Sequence, residues 1–519
     1  MKTILLITYF ILSVNVYCQT TTYNILDFNK SKTINSNTGF LSFTPYNQDI
    51  GYKINKNAAQ GIISSSAFWF GGIGNSAQIR ICAQTYYNIG KDQFSGPFSS
   101  TNQYNSSSYM NKYASSIWNI SLSEIQDHID NFSNSGYLVP QQIENWPAHG
   151  DTTLGVSYYL APFVDVNNNG KYEPSEGDYP QIKGCAATYI ITNDDAKTHD
   201  SGGSQLGIEI HYMIYQLSEN SMHNDVTFID VKVIKKTNEI IKDFTMGYFI
   251  DADIGNSLDD HSGTSPERNA MFFYNADNDD EIGGAAHFGI NPPAFGVVCL
   301  NDIISSAGQY KTGSGDPFLS YDYWRYMNGV DVNGQSWTDE NGNPTPYLYP
   351  GNPNDPLAYS AISDSLAAND IRGIMNIKIG IIEQGNIISR SYAIVPANSG
   401  NNNLDQVNHV FNKIDALQVD YNNNNLVPCD LSLGISENQQ KTQSILLFPN
   451  PSINKVHLLG LENGEYEVLI VDVLGKMHLE TKLHNEKTAL DIHALPKGIY
   501  LVMIKSENGN SSILKMIKE

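Results

Sequence analysis

"LGIEIHYMIYQ", residues 206–216, is the stretch that decides the fold. Ile208, Ile210, Tyr212 and Ile214 occupy alternate positions, and an extended chain sends alternate side chains to opposite faces. The four therefore mark one face of a strand. His211 sits between Ile210 and Tyr212, where a hydrogen-bonded or exposed imidazole is expected rather than a metal ligand. "DVTFIDVKVIKK" (225–236) and "FTMGYFI" (244–250) follow, separated by polar breaks. Three such runs read as an antiparallel meander. The same texture fills most of the chain, so the expected class is mainly β, with a large β-sandwich-type N-terminal region and a few helices.

Two segments break the β pattern. In "SLSEIQDHIDNF" (121–132), Ser121 and Glu124 have capping-box spacing and Ile120 and Ile125 that of a hydrophobic staple. Leu122, Ile125, Ile129 and Phe132 then form one apolar stripe. "LDQVNHVFNKIDALQ" (404–418) places Leu404, Val407, Phe411, Ile414 and Leu417 at helical spacing. Both stripes are expected to face the core.

A chain of 519 residues exceeds one ordinary domain, and a hydrophobic content of 41% is enough for real cores. Lys+Arg of 31 against Asp+Glu of 54 gives a net charge of −23, which argues against nucleic acid or an anionic membrane surface as partner. Residues 445–519 carry 9 acidic and 8 basic side chains, so the excess lies upstream. Lys2 precedes an apolar run, Ile4 to Leu12, too short to span a bilayer, and residues 1–18 read as a secretory signal peptide. Val16 and Cys18 precede a cleavage point before Gln19. Lipidation at Cys18 is the rival reading, disfavoured by the bulky Tyr17. No transmembrane helix is expected elsewhere. Cys82, Cys185, Cys299 and Cys429 are widely spaced, which argues against a zinc ribbon and leaves one or two disulfides of open pairing.

Residues 431–444, "LSLGISENQQKTQS", are polar and aperiodic and read as a linker after a 19–430 region. Beyond it come short β-runs with turns, the pattern of a small immunoglobulin-like β-sandwich. "FPNP" (448–451), "VDVLGK" (471–476), "LPKGIYLVMI" (495–504) and the ending "KMIKE" (515–519) resemble, in order and spacing, the C-terminal sorting domain of the type IX secretion system. The resemblance implies that residues 445–519 are an address read by that machinery. It implies Sec-dependent export followed by passage across the outer membrane of Bacteroidetes-type bacteria, to the medium or the cell surface.

Upstream, "FWFGG" (68–72), "AQTYY" (83–87), "FSGPF" (94–98), "ENWPAHG" (144–150), "YYLAPFVDVNNNGKYEPSEGDYP" (158–180) and "GYFIDADIGNSLDD" (247–260) resemble a broad group of secreted type IX cargo proteins. That resemblance implies no activity and carries no catalytic residue across.

Within the fifth of these stretches, Asp165, Asn167, Asn169, Gly170 and Glu176 fit D-x-[DN]-x-[DN]-G-x5-E, the EF-hand calcium loop, without a mismatch. Alternate oxygens at loop positions 1, 3 and 5 curl around a hard cation, and glycine at 6 permits the sharp turn. The Lys171 carbonyl, Glu173 and Glu176 complete the expected Ca2+ set, with Asp178 in support. Pro174 and Pro180 block a following helix, so a structural site with an affinity on the order of 0.1–1 mM is expected rather than a switch. Asp251, Asp253 and Asp259, with Asn256 and Asp260, form a weaker second candidate directly after an apolar strand. "YNADNDDE" offers Asp277, Asp279, Asp280 and Glu281 without a defined ligand code.

Candidate catalytic residues are few. "HDSGGS" (199–204) resembles the serine setting of trypsin-like proteases, with Ser201 as nucleophile and His149 as base, but a Gly/Ser turn explains it with less. Trp69, Trp146, Tyr321, Tyr323, Trp324 and Tyr326 are candidate sugar platforms, against the simpler reading of packing. The function expected is a secreted or surface-bound, calcium-stabilised β module, non-enzymatic, with a glycan or protein ligand. The alternative is an extracellular carbohydrate-active enzyme, a glycoside hydrolase-like protein carried by the same address.

Overall fold

The computed structural model describes residues 21–43, 51–86, 91–281, 287–426 and Cys429, then Ser452 and segments 446–448, 454–459, 464–472, 476–484, 489–506 and 511–518. The signal-peptide and linker readings lie outside the described residues. The chain divides into two compact units, Met1–Leu431 and Ser432–Glu519.

The first unit is built on two nine-stranded sheets. One runs in the order 23–26, 32–36, 40–41, 63–73, 241–252, 371–382, 306–311, with 52–53 and 79–82 paired off this path. The other runs 260–265, 270–275, 294–299, 387–397, 227–235, 208–216, 186–193, 94–95, with 117–121 also paired to 186–193. Ile208, Ile210, Tyr212 and Ile214 do share a face, buried against Phe68, Phe70, Met246, Tyr248 and Ile250 of the opposite sheet. The strand 208–216 pairs antiparallel with 227–235, as its pattern predicts. "FTMGYFI" does not continue the meander. It belongs to strand 241–252, which crosses to the other sheet and pairs with 63–73 and 371–382. The physical reason is that Met246, Tyr248 and Ile250 bury their side chains against the sheet they would otherwise have extended.

The outer face of each sheet is covered as well. Helix Asn403–Asn422 lays Val407, Val410, Phe411, Ile414 and Leu417 over Phe272, Val298 and Val395 of the second sheet. Helix Ser320–Met327 covers the first, with Tyr323, Tyr326 and Met327 against Trp69, Phe249 and Ile374. Helix Leu122–Asn131 carries the expected capping box, Ser121 Oγ accepting from the Glu124 N–H and Glu124 accepting from the Ser121 N–H. Ile120 and Ile125, the staple pair, are both buried. Cys185 and Cys429 form a disulfide, while Cys82 and Cys299 are free and buried.

The second unit has a three-stranded sheet (446–448, 455–459, 489–491) and a four-stranded one (477–484, 465–472, 498–506, 511–518). Tyr466, Val468 and Ile470 alternate inward and meet Val456, Leu458, Leu490 and Val502 in one core. This is the two-sheet sandwich expected of the tail.

Candidate functional site

Residues 165–176 join the two-stranded ribbon Phe163–Val164 and Tyr179–Pro180. Asp165 anchors the loop, its Oδ1 accepting the Asn169 N–H (3.2 Å) and Oδ2 the Gly170 N–H (2.7 Å). Asn167 Oδ1 accepts the same Asn169 N–H at 3.1 Å, and Asn169 Oδ1 accepts the Lys171 N–H at 2.8 Å. Gly170 takes φ 79°, the left-handed conformation for which the sixth position calls. Asp178 is fully buried, with Oδ1 accepting the Val166 N–H (2.9 Å) and Oδ2 the Glu173 N–H (2.8 Å), so one carboxylate clamps both ends. His128 of helix Leu122–Asn131 meets the Asp178 carbonyl at 3.1 Å and seats the loop on that helix. Glu173 Oε2 accepts from Asn169 Nδ2 at 2.6 Å, and Glu176 ends a 3-10 turn with its side chain exposed. Asp165, Glu173 and Glu176 are not gathered within 4.8 Å of one another among the described residues.

A tighter gathering occurs at Asp251, Asp253 and Asp370, whose oxygens lie within 4.8 Å of one another. Sequence reasoning named the first two and missed Asp370, a lone acid in "NDIRG" that only sheet pairing brings close. Asp251 ends strand 241–252 opposite Arg372 of strand 371–382. Tyr86 Oη donates to Asp251 Oδ2 (2.8 Å) and accepts from Arg372 Nε (2.7 Å). Arg372 Nη1 pairs with Asp370, and Ser64 Oγ donates to Asp253 Oδ2.

Asp259 stands outside this group of three, in the 3-10 turn Ser257–Asp259. Its neighbours are Asp260, whose Oδ2 accepts the Ile254 N–H at 3.0 Å, and Asp280, whose Oδ1 accepts the Asn256 N–H at 2.8 Å. Gly255 is required here: at φ +71°, a Cβ would sit 1.9 Å from Asp280 Oδ2. Burial raises five of these carboxyls: Asp251 and Asp260 well above the usual range, Asp253 to about 6, and Asp259 and Asp280 in the same direction. Neighbouring carboxylates push in the same direction, while Arg372 opposes the rise at Asp251 and Asp253.

The remaining candidates resolve differently. Ser201 is buried, its Oγ donating to Asp92 Oδ2 at 2.6 Å, so its partner is a buried carboxyl group and not the His149 imidazole. His149 stacks on Tyr158 at 4.1 Å between centroids. Trp69, Trp146, Tyr323 and Tyr326 are core residues, so those aromatics pack rather than form a platform. His211 is buried and bonded, as its place in the strand implies. Its Nε2 donates to Glu209 Oε1 (3.0 Å) and its Nδ1 accepts from Tyr189 Oη (2.6 Å), because burial keeps the ring neutral while Glu209 stays ionised. Tyr189 and His211 line a groove of about 540 Å3 with Lys232, Asp230, Ser391 and Tyr421. Lys232 has no acceptor among the described residues, and burial lowers its pKa.

Residues 446–519 match the secretion system C-terminal sorting domain. The tail therefore marks this chain as secreted cargo. No curated protein matches the chain. Among solved structures, a polysaccharide lyase aligns at 7% identity and TM-score 0.20, over 70% of this chain and 37% of its own. A β-1,2-glucanase from Parabacteroides distasonis aligns at 8% identity and TM-score 0.13, over 60% and 37%. The chain thus spans little more than a third of each, and superpositions this loose carry no argument about architecture or activity.

Proposed function

We propose that the N-terminal unit is a non-enzymatic, calcium-stabilised extracellular module which the sorting tail delivers to the medium or the cell surface. The observation that supports it is Asp178, wholly buried, clamping both ends of a loop whose donors follow the calcium order of Asp165, Asn167, Asn169 and Glu176. Tyr158 and Tyr159, 42% and 64% exposed, stand edge to face beside the loop and offer an aromatic contact surface for a glycan or protein ligand.

Thermal unfolding of the full chain tests this, with millimolar calcium and with chelator. Calcium at ten to a hundred times its Kd stabilises by about 1.4–2.7 kcal/mol. The midpoint rises with calcium in wild type, and the rise shrinks in Glu176→Gln and Asp165→Asn. A wild type that ignores calcium overturns the reading.

A second reading, an enzyme on extracellular carbohydrate, is favoured by Tyr189 and His211, hydrogen-bonded to each other in the lining of the groove, with the buried Glu209 bonded to His211 and Lys232 beside them. Its test is depolymerisation of extracellular polysaccharides by wild type and not by Tyr189→Phe.

A further inference from the structure

The decapeptide "DADIGNSLDD" (251–260) concentrates a kind of atom that folded proteins avoid. Asp251 Oδ1, Asp253 Oδ1 and Asp260 Oδ1 are buried and make no hydrogen bond among the described residues. No carboxylate oxygen elsewhere in the described chain shares that condition. Asp251 is 2% exposed and Asp260 0%. Arg372 Nε does lie 3.1 Å from Asp251 Oδ1, but its N–H is given to Tyr86 Oη. A buried carboxylate is costly unless it is paired, protonated or bound to a metal, and one guanidinium among six acids does not balance them.

We propose that Asp251, Asp253 and Asp370 hold a hard divalent cation, calcium, at a second centre separate from the 165–176 loop. The ligand atoms are all oxygen, the choice of calcium and not of zinc or copper. Asp253 Oδ1 makes no hydrogen bond, Asp251 Oδ1 has only the Arg372 ion pair, and Asp370 completes a group gathered within 4.8 Å. Asp260, whose carboxyl feels the charge of Asp253, adds negative field behind it. The placement gives the ion a structural task. Ser64, Asp251 with Asp253, and Asp370 stand at the ends of strands 63–73, 241–252 and 371–382, three neighbours in one sheet. A cation there pins the three strand ends to one another.

The proposal stands independently of the loop, and calorimetric titration of the chelator-stripped full chain with calcium separates the two. Wild type takes up two ions per chain, Glu176→Gln keeps the ion of this centre, and Asp253→Asn keeps the ion of the loop. In chelator, Asp253→Asn unfolds at the same temperature as wild type or higher, since it removes repulsion, whereas a cavity or packing defect would lower it. If Glu176→Gln binds no calcium, the centre does not exist and the acids hold protons instead. If Asp253→Asn and Asp370→Asn both bind as wild type does, the ligand assignment is overturned. Should the asparagine variants fail to fold, terbium luminescence of Glu176→Gln decides. Emission excited through tyrosine and quenched by excess calcium supports the centre, and its absence refutes it.

Discussion

Asp251 and Arg372 face each other across two neighbouring strands, with Arg372 Nε 3.1 Å from Asp251 Oδ1 and both side chains buried. The Arg372 guanidinium eases the charge of Asp251, and Asp253 and Asp370 crowd the same place. Removing one partner of a buried ion pair typically costs about 3–5 kcal/mol, because a charge is left without its counterpart. Arg372→Met, which keeps most of the volume, is expected to lose that much in chelator by urea denaturation. Calcium should restore part of it, since a cation among the carboxylates replaces the missing charge. An Arg372→Met chain as stable as wild type in chelator would show that these acids are held neutral.

The capping box offers a smaller, cleaner effect. Ser121 Oγ satisfies the Glu124 N–H, one of the donors a helix start leaves open, and Glu124 returns the bond to the Ser121 N–H. Ser121→Ala should cost about 1 kcal/mol. Helix Leu122–Asn131 also seats the 165–176 loop through His128, so the same variant should bind calcium less tightly at the loop alone. Calorimetry on a Ser121→Ala, Asp253→Asn double variant reads that loop affinity directly.

His199 supplies the pH dependence. Its Nδ1 meets the Ile81 carbonyl and its Nε2 the Asp194 carbonyl, each at 2.6 Å. Carbonyl oxygens only accept, so both nitrogens carry protons and the ring is an imidazolium. Burial opposes that charge, but Asp92 and Asp194 outweigh it and raise the His199 pKa. A raised histidine contributes stability that is complete below the unfolded value of about 6.5 and is lost as pH climbs through the folded one. The stability gap between wild type and His199→Gln should therefore be widest at mildly acidic pH and narrow in alkaline solution. Denaturation of both chains from pH 5 to 9 checks this, and a gap independent of pH would mean that the ring is neutral.

Local pattern was the legible part of this sequence. The alternation of Ile208 to Ile214, the Ser121–Glu124 box, the stripe from Val407 to Leu417 and the tail motifs each need only a few neighbouring residues, and each has its structural counterpart. What escaped depends on distant pairing. Nothing local tells that "FTMGYFI" leaves the meander for the facing sheet, because an inward alternation suits either sheet. Asp370 is unremarkable until strand 371–382 docks beside 241–252. "YDYWRYM" looked like a display of rings, yet helical spacing turns Tyr323 and Tyr326 into the core and leaves Tyr321 outside.

Cysteine pairing was illegible for the same reason, and it yields the last prediction. Cys185 precedes strand 186–193, Cys429 follows helix Asn403–Asn422, and 244 positions separate them. In the chain-entropy account, closing a loop that long stabilises by on the order of 5 kcal/mol. The helix is also held by Val407, Val410, Phe411, Ile414 and Leu417, so breaking the bridge should weaken the fold without releasing the helix. Cys185→Ser with Cys429→Ser should lower the urea midpoint while keeping the far-ultraviolet dichroism of the native state. Thiol counting checks the pairing itself. The chain from Gln19 onward, unfolded without reductant, should expose only Cys82 and Cys299, both buried in the native protein. Reduction first should double the count. Four thiols without reduction would show that the bridge does not form, and the midpoint of the double serine variant would then match wild type.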